Sequence, residues 1–252
     1  MTGLLFASCE RKPLTVWMVG DSTMADRYDT VETPERGWGQ LFPTWLTEDV
    51  TVMNHAKNGR STKSFLAEGR WEPVISGIRP GDVLILQFGH NDAKASDSLR
   101  YASPEDYAAN LTRMVREAKA KDAHVILCTP IARRHFKNGE LEYVHGDYPA
   151  RARDVAAREN IPLVDLTTST MEWLAPLGDE GSQPYFVYIM QPGEYSKYPE
   201  GKTDNTHLRL RGALEVGREF AVMVKEQRIA PLCNYINLDS KAVKYTTPCG
   251  VK

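Results

Sequence analysis

The chain has little of several features that would fix its class at a glance. Its 33 acidic and 31 basic residues leave a net charge of −2, so it lacks the single-sign field that draws a protein to nucleic acid or to an anionic membrane surface. No apolar run approaches the roughly 18 residues needed to span a bilayer. Only four cysteines occur, Cys9, Cys128, Cys233 and Cys249, too few for a disulfide scaffold and without the C-x-x-C pairing of a zinc site. P-loop and dinucleotide fingerprints are absent, and so are internal repeats and low-complexity linkers. What is present is 252 residues, 42% hydrophobic and 25% charged, the profile of a globular protein able to bury a substantial core without disulfides or metals.

The run Gly3-Leu4-Leu5-Phe6-Ala7-Ser8-Cys9, followed by polar Glu10-Arg11-Lys12-Pro13, resembles the end of a bacterial lipoprotein signal, although Phe6 stands where Leu is usual and no basic segment precedes it. On this reading residues 1–12 are a signal remnant and lead-in, and lipidated Cys9 is the one route of membrane attachment. The protein then works outside the cytoplasm, in the periplasm, on the outer membrane or secreted. Residues 13–252 are expected to form one domain, with 229–252 as a C-terminal tail.

Short runs rich in Val, Ile and Leu, at Thr15–Val19, Val50–Asn54, Asp82–Phe88, His124–Thr129 and more weakly Pro162–Leu166, are bounded by Gly, Pro or Asn and predict strands. Because they are apolar almost throughout, both faces should be buried, as in a parallel sheet. Ser103-Pro104-Glu105-Asp106 opens a helix with a capping serine, proline at the first helical position and an acidic residue three after the cap. Tyr107, Leu111, Met114, Val115 and Ala118 then recur at helical spacing, and a second helix is expected from about Leu208 to Gln227. Alternating strands and helices predict a three-layer, doubly wound α/β fold, flavodoxin-like, with a parallel five-stranded sheet covered on both faces.

Such sheets bind ligands outside the carboxyl ends of their strands. Polar segments follow three of them: Gly20-Asp21-Ser22-Thr23-Met24, Ala56-Lys57-Asn58-Gly59-Arg60-Ser61 and Gly89-His90-Asn91-Asp92. A fourth, Thr203-Asp204-Asn205-Thr206-His207-Leu208, precedes the last helix. Singly these are ordinary capping and turn residues. Jointly, at one rim, they make a chemical site the better reading. A metal held by His90, Asp92, Asp204 and His207 is a rival, weakened by the lack of a helical His-x-x-x-His pair. A nucleophile elbow of the Gly-x-Ser-x-Gly type fails because Met24 stands at the second glycine.

These four segments, in this order, resemble the blocks of the SGNH or GDSL hydrolase superfamily over residues 14–228, and their variants are most similar to its rhamnogalacturonan acetylesterase branch. The resemblance implies Ser22 as nucleophile, Asp204 and His207 as its partners, and an oxyanion hole of Ser22 N–H, Gly59 N–H and the Asn91 amide. It requires neither metal nor cofactor. The chemistry agrees: a serine hydroxyl needs a positioned base, histidine is suited to that near neutrality, and a carboxylate three residues away can fix its tautomer. The substrate implied is an acetylated polysaccharide or oligosaccharide, most of all rhamnogalacturonan from pectin. Acetylxylan, another acyl ester, or sugar binding without catalysis are the alternatives.

The stretch from Leu177 to Lys202 reads as a long loop bearing Tyr185, Phe186, Tyr188, Tyr195 and Tyr198, a possible platform for sugar rings. Arg60, Arg133 and Arg134 follow strand ends and are the first choice for contacts to uronate carboxylates, with His90 and Tyr188 as further substrate contacts and Lys57 and Lys63 as alternatives. Cys128 should be buried and inert within the fourth strand. Cys233 and Cys249 could pair in an oxidising compartment and tie down the tail.

Overall fold

Strands β1 (Leu14–Gly20), β2 (Val50–Asn54), β3 (Val83–Gln87) and β4 (His124–Cys128) form where the apolar runs stand in the sequence. A short hairpin, β5 (Phe136–Lys137) and β6 (Glu140–Leu141), precedes β7 (Leu163–Val164). The chain is seen in a computed structural model that describes residues 12–28, 30, 32–188 and 191–246. Cys9 and Cys249, and with them the expected lipid anchor and the expected Cys233–Cys249 pairing, lie outside the described residues. The main sheet has the order β2-β1-β3-β4-β7, and every pairing in it is parallel.

Strand periodicity divides the core in two. Val16, Met18, Ile85, Ile126 and Val164 face one side, where they meet α1 (Trp38–Leu41), α6 (Leu166–Leu174) and α8 (Leu210–Glu226). Trp17, Val19, Leu84, Leu86 and Leu127 face the other, under α2 (Thr62–Ala67), α3 (Trp71–Gly77), α4 (Pro104–Lys119) and α5 (Tyr148–Glu159). In α4 the Ser103 side chain caps the Asp106 N–H as its sequence requires, and Tyr107, Leu111, Met114, Val115 and Ala118 are all buried. Each large side chain so buried stabilises the fold by about 1.5–3 kcal/mol before chain entropy is counted. Cys128 is fully buried, and that burial pushes its thiol well above the ordinary range.

Two boundaries differ from those expected. The connection after α6 is not irregular throughout: α7 (Gly178–Ser182) and a 3-10 turn at Gln183–Tyr185 occupy its first part, and Tyr185 and Phe186 enter the core. The last helix starts at Leu210 rather than Leu208, because Leu208 is taken into a β-bridge with Phe186. The tail is also held down, since Ile236 bridges Leu46 and the Thr246 N–H donates to the Gln40 carbonyl at 2.9 Å.

Candidate active site

The strand order reverses between β1 and β3, the point at which an open α/β sheet leaves a crevice. Ser22 follows β1 in a turn where the N–H groups of Met24 and Ala25 donate to the Asp21 carbonyl at 3.2 and 3.1 Å. Gly59 and Asn91 lie beyond β2 and β3. The Asp204–His207 turn, remote in sequence, is drawn to the same rim by backbone bonds. Val187 N–H donates to the His207 carbonyl (2.9 Å), Asp204 N–H to that of Val187 (2.8 Å) and Arg209 N–H to that of Tyr185 (3.0 Å). Gly212 permits this: a Cβ there would lie 2.2 Å from the Tyr185 carbonyl oxygen, so no other residue lets α8 begin so close.

His207 Nε2 lies 2.9 Å from Ser22 Oγ, and His207 Nδ1 lies 2.7 Å from Asp204 Oδ2. The other carboxylate oxygen, Oδ1, accepts the backbone N–H groups of Thr206 (2.8 Å) and His207 (2.9 Å). Burial raises the Asp204 carboxyl, but these donors and the imidazole outweigh it and hold the group well below the ordinary carboxylate range. A permanent carboxylate fixes the proton on Nδ1 and frees Nε2 to accept the serine proton.

Gly59 has φ +71°, a conformation that glycine adopts without strain. Among the described residues no acceptor is found for the backbone N–H of Ser22 or of Gly59. The Asn91 Nδ2 donates to the Arg60 carbonyl at 3.0 Å, and Asn91 shares the lining of one cleft of about 300 Å³ with Ser22, Gly59 and His207. Three sets of donors thus border the nucleophile, as stabilisation of a tetrahedral oxyanion requires.

Beneath the nucleophile runs a buried polar chain that the sequence reading did not find. Trp38 Nε1–H donates to Gln87 Oε1, Gln87 Nε2–H to Thr23 Oγ1 (2.9 Å), and the Thr23 hydroxyl to Asp21 Oδ1 (2.8 Å). Asp21 Oδ2 meets His90 Nδ1 at 3.0 Å, and His90 Nε2 meets the Ile131 carbonyl at 3.1 Å. Burial pushes the Asp21 carboxyl up, but His90 and Thr23 outweigh it and hold it below the ordinary range. The expectation that His90 contacts substrate is corrected: it lines the cleft, yet it is 2% exposed and both ring nitrogens are engaged. The only available signal was the placement of Asp21 and His90 beside the reactive Ser22 and Asn91.

Asp92 closes the same layer. Its Oδ1 accepts the Thr62 N–H (2.9 Å) and hydroxyl (2.6 Å), tying the start of α2 to the loop after β3. Its Oδ2 is buried without a partner among the described residues, and burial, only partly offset by Thr62, raises its pKa to about 7. A carboxyl raised above its unfolded value binds a proton that the unfolded chain has released. Its contribution is intact below pH ~4 and is lost as pH rises towards 7, by on the order of 4 kcal/mol. Asp92→Asn should therefore reduce the fall in stability between pH 4 and 7, read from denaturant midpoints. An unchanged pH slope would show that Asp92 is ionised in the fold.

The basic residues chosen from sequence fare unequally. Arg133 lines the cleft, where it donates to Thr206 Oγ1 and, at 3.2 Å, to the His90 carbonyl. Arg134 does not reach it. It is 2% exposed, bonded to Asp179, Ser182 (2.9 Å) and Asn205 Oδ1 (2.9 Å), and stacked 4.0 Å over the Tyr188 ring. Arg134 thus braces the catalytic turn from behind instead of contacting substrate, whereas Arg133 braces the turn from within the cleft. Arg60 turns to Glu68 and the Asn58 carbonyl, and Lys63 to the Ser98 carbonyl. Cations the sequence reading missed, Arg27, Lys94, Arg100 and Lys197, line the cleft instead, with Glu35 and Asp204 as its carboxylates. The described residues contain no group of three or more side chains placed to hold a metal. A larger groove of about 800 Å³ lies between α4 and α5 and includes none of the strand-end residues.

Residues 18–209 match the model of the GDSL-like lipase/acylhydrolase family. The chain is 39% identical to rhamnogalacturonan acetylesterase RhgT of Bacillus subtilis (strain 168), over 86% of this chain and 91% of that one. It is 35% identical to the probable rhamnogalacturonan acetylesterase YesY of the same organism, over 84% and 92%. Among solved structures it is similar to protein YxiM of Bacillus subtilis, with TM-score 0.74 and 27% identity, covering 87% of this chain and 58% of that one.

Proposed function

Because the chain belongs to the GDSL-like lipase/acylhydrolase family and is a carboxylic ester hydrolase, we propose that it removes acetyl groups from an acidic plant cell-wall polysaccharide, rhamnogalacturonan, through an acetyl-enzyme on Ser22. His207 Nε2 takes the Ser22 proton as Oγ adds to the acetyl carbonyl, while Asp204 holds the imidazole. The oxyanion is received by the N–H groups of Ser22 and Gly59 and by the Asn91 amide. His207 then returns the proton to the departing sugar hydroxyl. In the second half it takes a proton from the water that attacks the acetyl carbonyl and gives it to Ser22 Oγ as the acyl–Oγ bond breaks, releasing the acetyl group as acetic acid, which ionises to acetate.

The observation that carries the substrate reading is the charge of the cleft. Arg27, Lys94, Arg100, Arg133 and Lys197 border Ser22 against Glu35 and Asp204, which favours an anionic polymer over a neutral one. The names of the two Bacillus subtilis relatives support the same substrate. A polymer of this kind is met outside the cell, in keeping with the Cys9 motif. The clearest single contact is Arg100. Its guanidinium stands 3.8 Å from where a Cβ on Gly59 would lie, at the edge of the oxyanion hole, and its carboxylate partner Asp97 is itself partly exposed.

Acetate release from acetylated rhamnogalacturonan, acetylated xylan and 4-nitrophenyl acetate tests this reading. The acidic polymer should be the best glycan substrate. Arg100→Gln should raise KM on it roughly five- to tenfold, the scale of one charge-assisted hydrogen bond at a partly exposed site, and leave the neutral ester unaffected. Faster release from xylan, or an equal effect of Arg100→Gln on all three, would remove the acidic substrate.

A further inference from the structure

Three residues beyond Asn91 the chain turns back, and the Lys94 N–H donates to the Asn91 carbonyl at 3.2 Å. In that turn the Lys94 ammonium reaches the Asn91 side chain. Nζ donates to Asn91 Oδ1 at 2.8 Å, while Asn91 Nδ2 donates to the Arg60 carbonyl at 3.0 Å. The amide is thus gripped by a cation on its oxygen and an acceptor on its nitrogen. Half a turn about its terminal torsion would set the NH2 group against the ammonium and the amide oxygen against a carbonyl, replacing two bonds with two repulsions. An amide nitrogen carries two N–H bonds. With one committed to Arg60, the other is left for the cleft that Asn91 lines beside Ser22 and Gly59.

From this geometry we infer that Lys94 is a positioning residue for the oxyanion hole, locking the Asn91 amide with its nitrogen toward the reacting carbonyl. The inference rests on the Ser22 ester chemistry proposed above. Besides selecting the orientation, the positive charge on Oδ1 draws electron density from the amide and makes its remaining N–H a stronger donor to the developing oxyanion. The charged groups facing Lys94 are Arg100 and Arg133, which repel it, and Asp21 and Asp97, which attract it. Partial burial together with the two arginines brings its pKa below the ordinary lysine value. A lysine that bound substrate would act otherwise, changing KM for an acidic polymer and leaving a neutral ester untouched.

The test is steady-state hydrolysis of 4-nitrophenyl acetate and of acetylated rhamnogalacturonan by the native protein, Lys94→Met, Lys94→Gln, Asn91→Ala, the Lys94→Met/Asn91→Ala double variant and Ser22→Ala. Asn91→Ala should lower kcat by about 10²- to 10³-fold, the usual loss of one oxyanion donor. Lys94→Met should lower it by about tenfold with KM nearly unchanged, since the amide is kept but no longer locked. Lys94→Gln, which keeps a neutral donor, should recover part of that loss. On the Asn91→Ala background Lys94→Met should change kcat by no more than about twofold, because the group it acts through is gone. An unchanged kcat in Lys94→Met, the same loss in both backgrounds, or a change confined to KM on the acidic polymer would each overturn the inference. If Ser22→Ala stays active, the ester chemistry itself is wrong; if Ser22→Ala and Asn91→Ala lose activity while Lys94→Met does not, only the role of Lys94 fails.

Discussion

Replacing Ser22 with alanine should lower kcat/KM for acetyl esters by about 10³- to 10⁶-fold, the range expected when a nucleophile is deleted from a working triad. The fold should survive. The Ser22 side chain makes one hydrogen bond, to His207 Nε2 at 2.9 Å, whereas the turn around it is held by backbone bonds to Asp21 and by the Thr23–Asp21 contacts, none of which uses the Ser22 hydroxyl. Acetate release and a thermal midpoint, measured on the same preparation, separate loss of chemistry from loss of structure. Residual turnover should not vanish, because the oxyanion donors remain and can still assist attack by water. Mass spectrometry during turnover should detect an acetyl group on native protein and none on Ser22→Ala. Activity within tenfold of native, with the midpoint preserved, would mean that another group attacks the ester.

The sequence made this site legible because its chemistry demands particular residue types at particular strand ends. Ser22 after β1, Gly59 after β2, Asn91 after β3 and His207 before α8 each sit at a change of pattern from apolar to polar, and a parallel sheet gathers such changes on one rim. The central strands were legible for the same reason: burial on both faces leaves β1, β3 and β4 apolar almost throughout. What surrounds the triad was not legible. Arg133 and Arg134 are neighbours after β4 with the same charge, yet one lines the cleft and the other is enclosed by Asp179, Ser182 and Tyr188. Only the position of α7 decides between them, and α7 lies in a stretch whose proline and glycine content suggested a loop. Arg27 and Lys197 reach the cleft from segments without periodicity or motif, brought together on Glu35, with Arg27 Nε at 3.0 Å and Lys197 Nζ at 3.8 Å. Pairings across so many residues are set by tertiary packing, which local pattern does not encode.

The second large effect concerns Asp204. Asp204→Asn changes one atom of the side chain and almost none of its volume, yet it should lower kcat by about 10⁴-fold with KM nearly unchanged. Both carboxylate oxygens accept: Oδ1 takes the N–H groups of Thr206 and His207, and Oδ2 takes His207 Nδ1. An asparagine can satisfy only one side. With its oxygen left on the two backbone donors, its NH2 faces Nδ1, which must then accept. The imidazole proton moves to Nε2, the atom 2.9 Å from Ser22 Oγ, where it prevents the ring from taking the serine proton. With the amide rotated, the tautomer is kept but the NH2 group collides with two N–H donors and loosens the turn. Acid stability should change as well. The folded Asp204 carboxyl lies below its unfolded value, so it contributes stability that is present above pH ~4 and is lost as pH falls through the folded value. Asp204→Asn should lack that contribution at neutral pH and show a shallower loss of stability on acidification. Turnover of 4-nitrophenyl acetate at neutral pH and unfolding midpoints from pH 2 to 7 read the two consequences independently. A loss of less than tenfold in kcat would show that His207 keeps its working tautomer without the carboxylate, and Asp204 would then be a structural member of the turn alone.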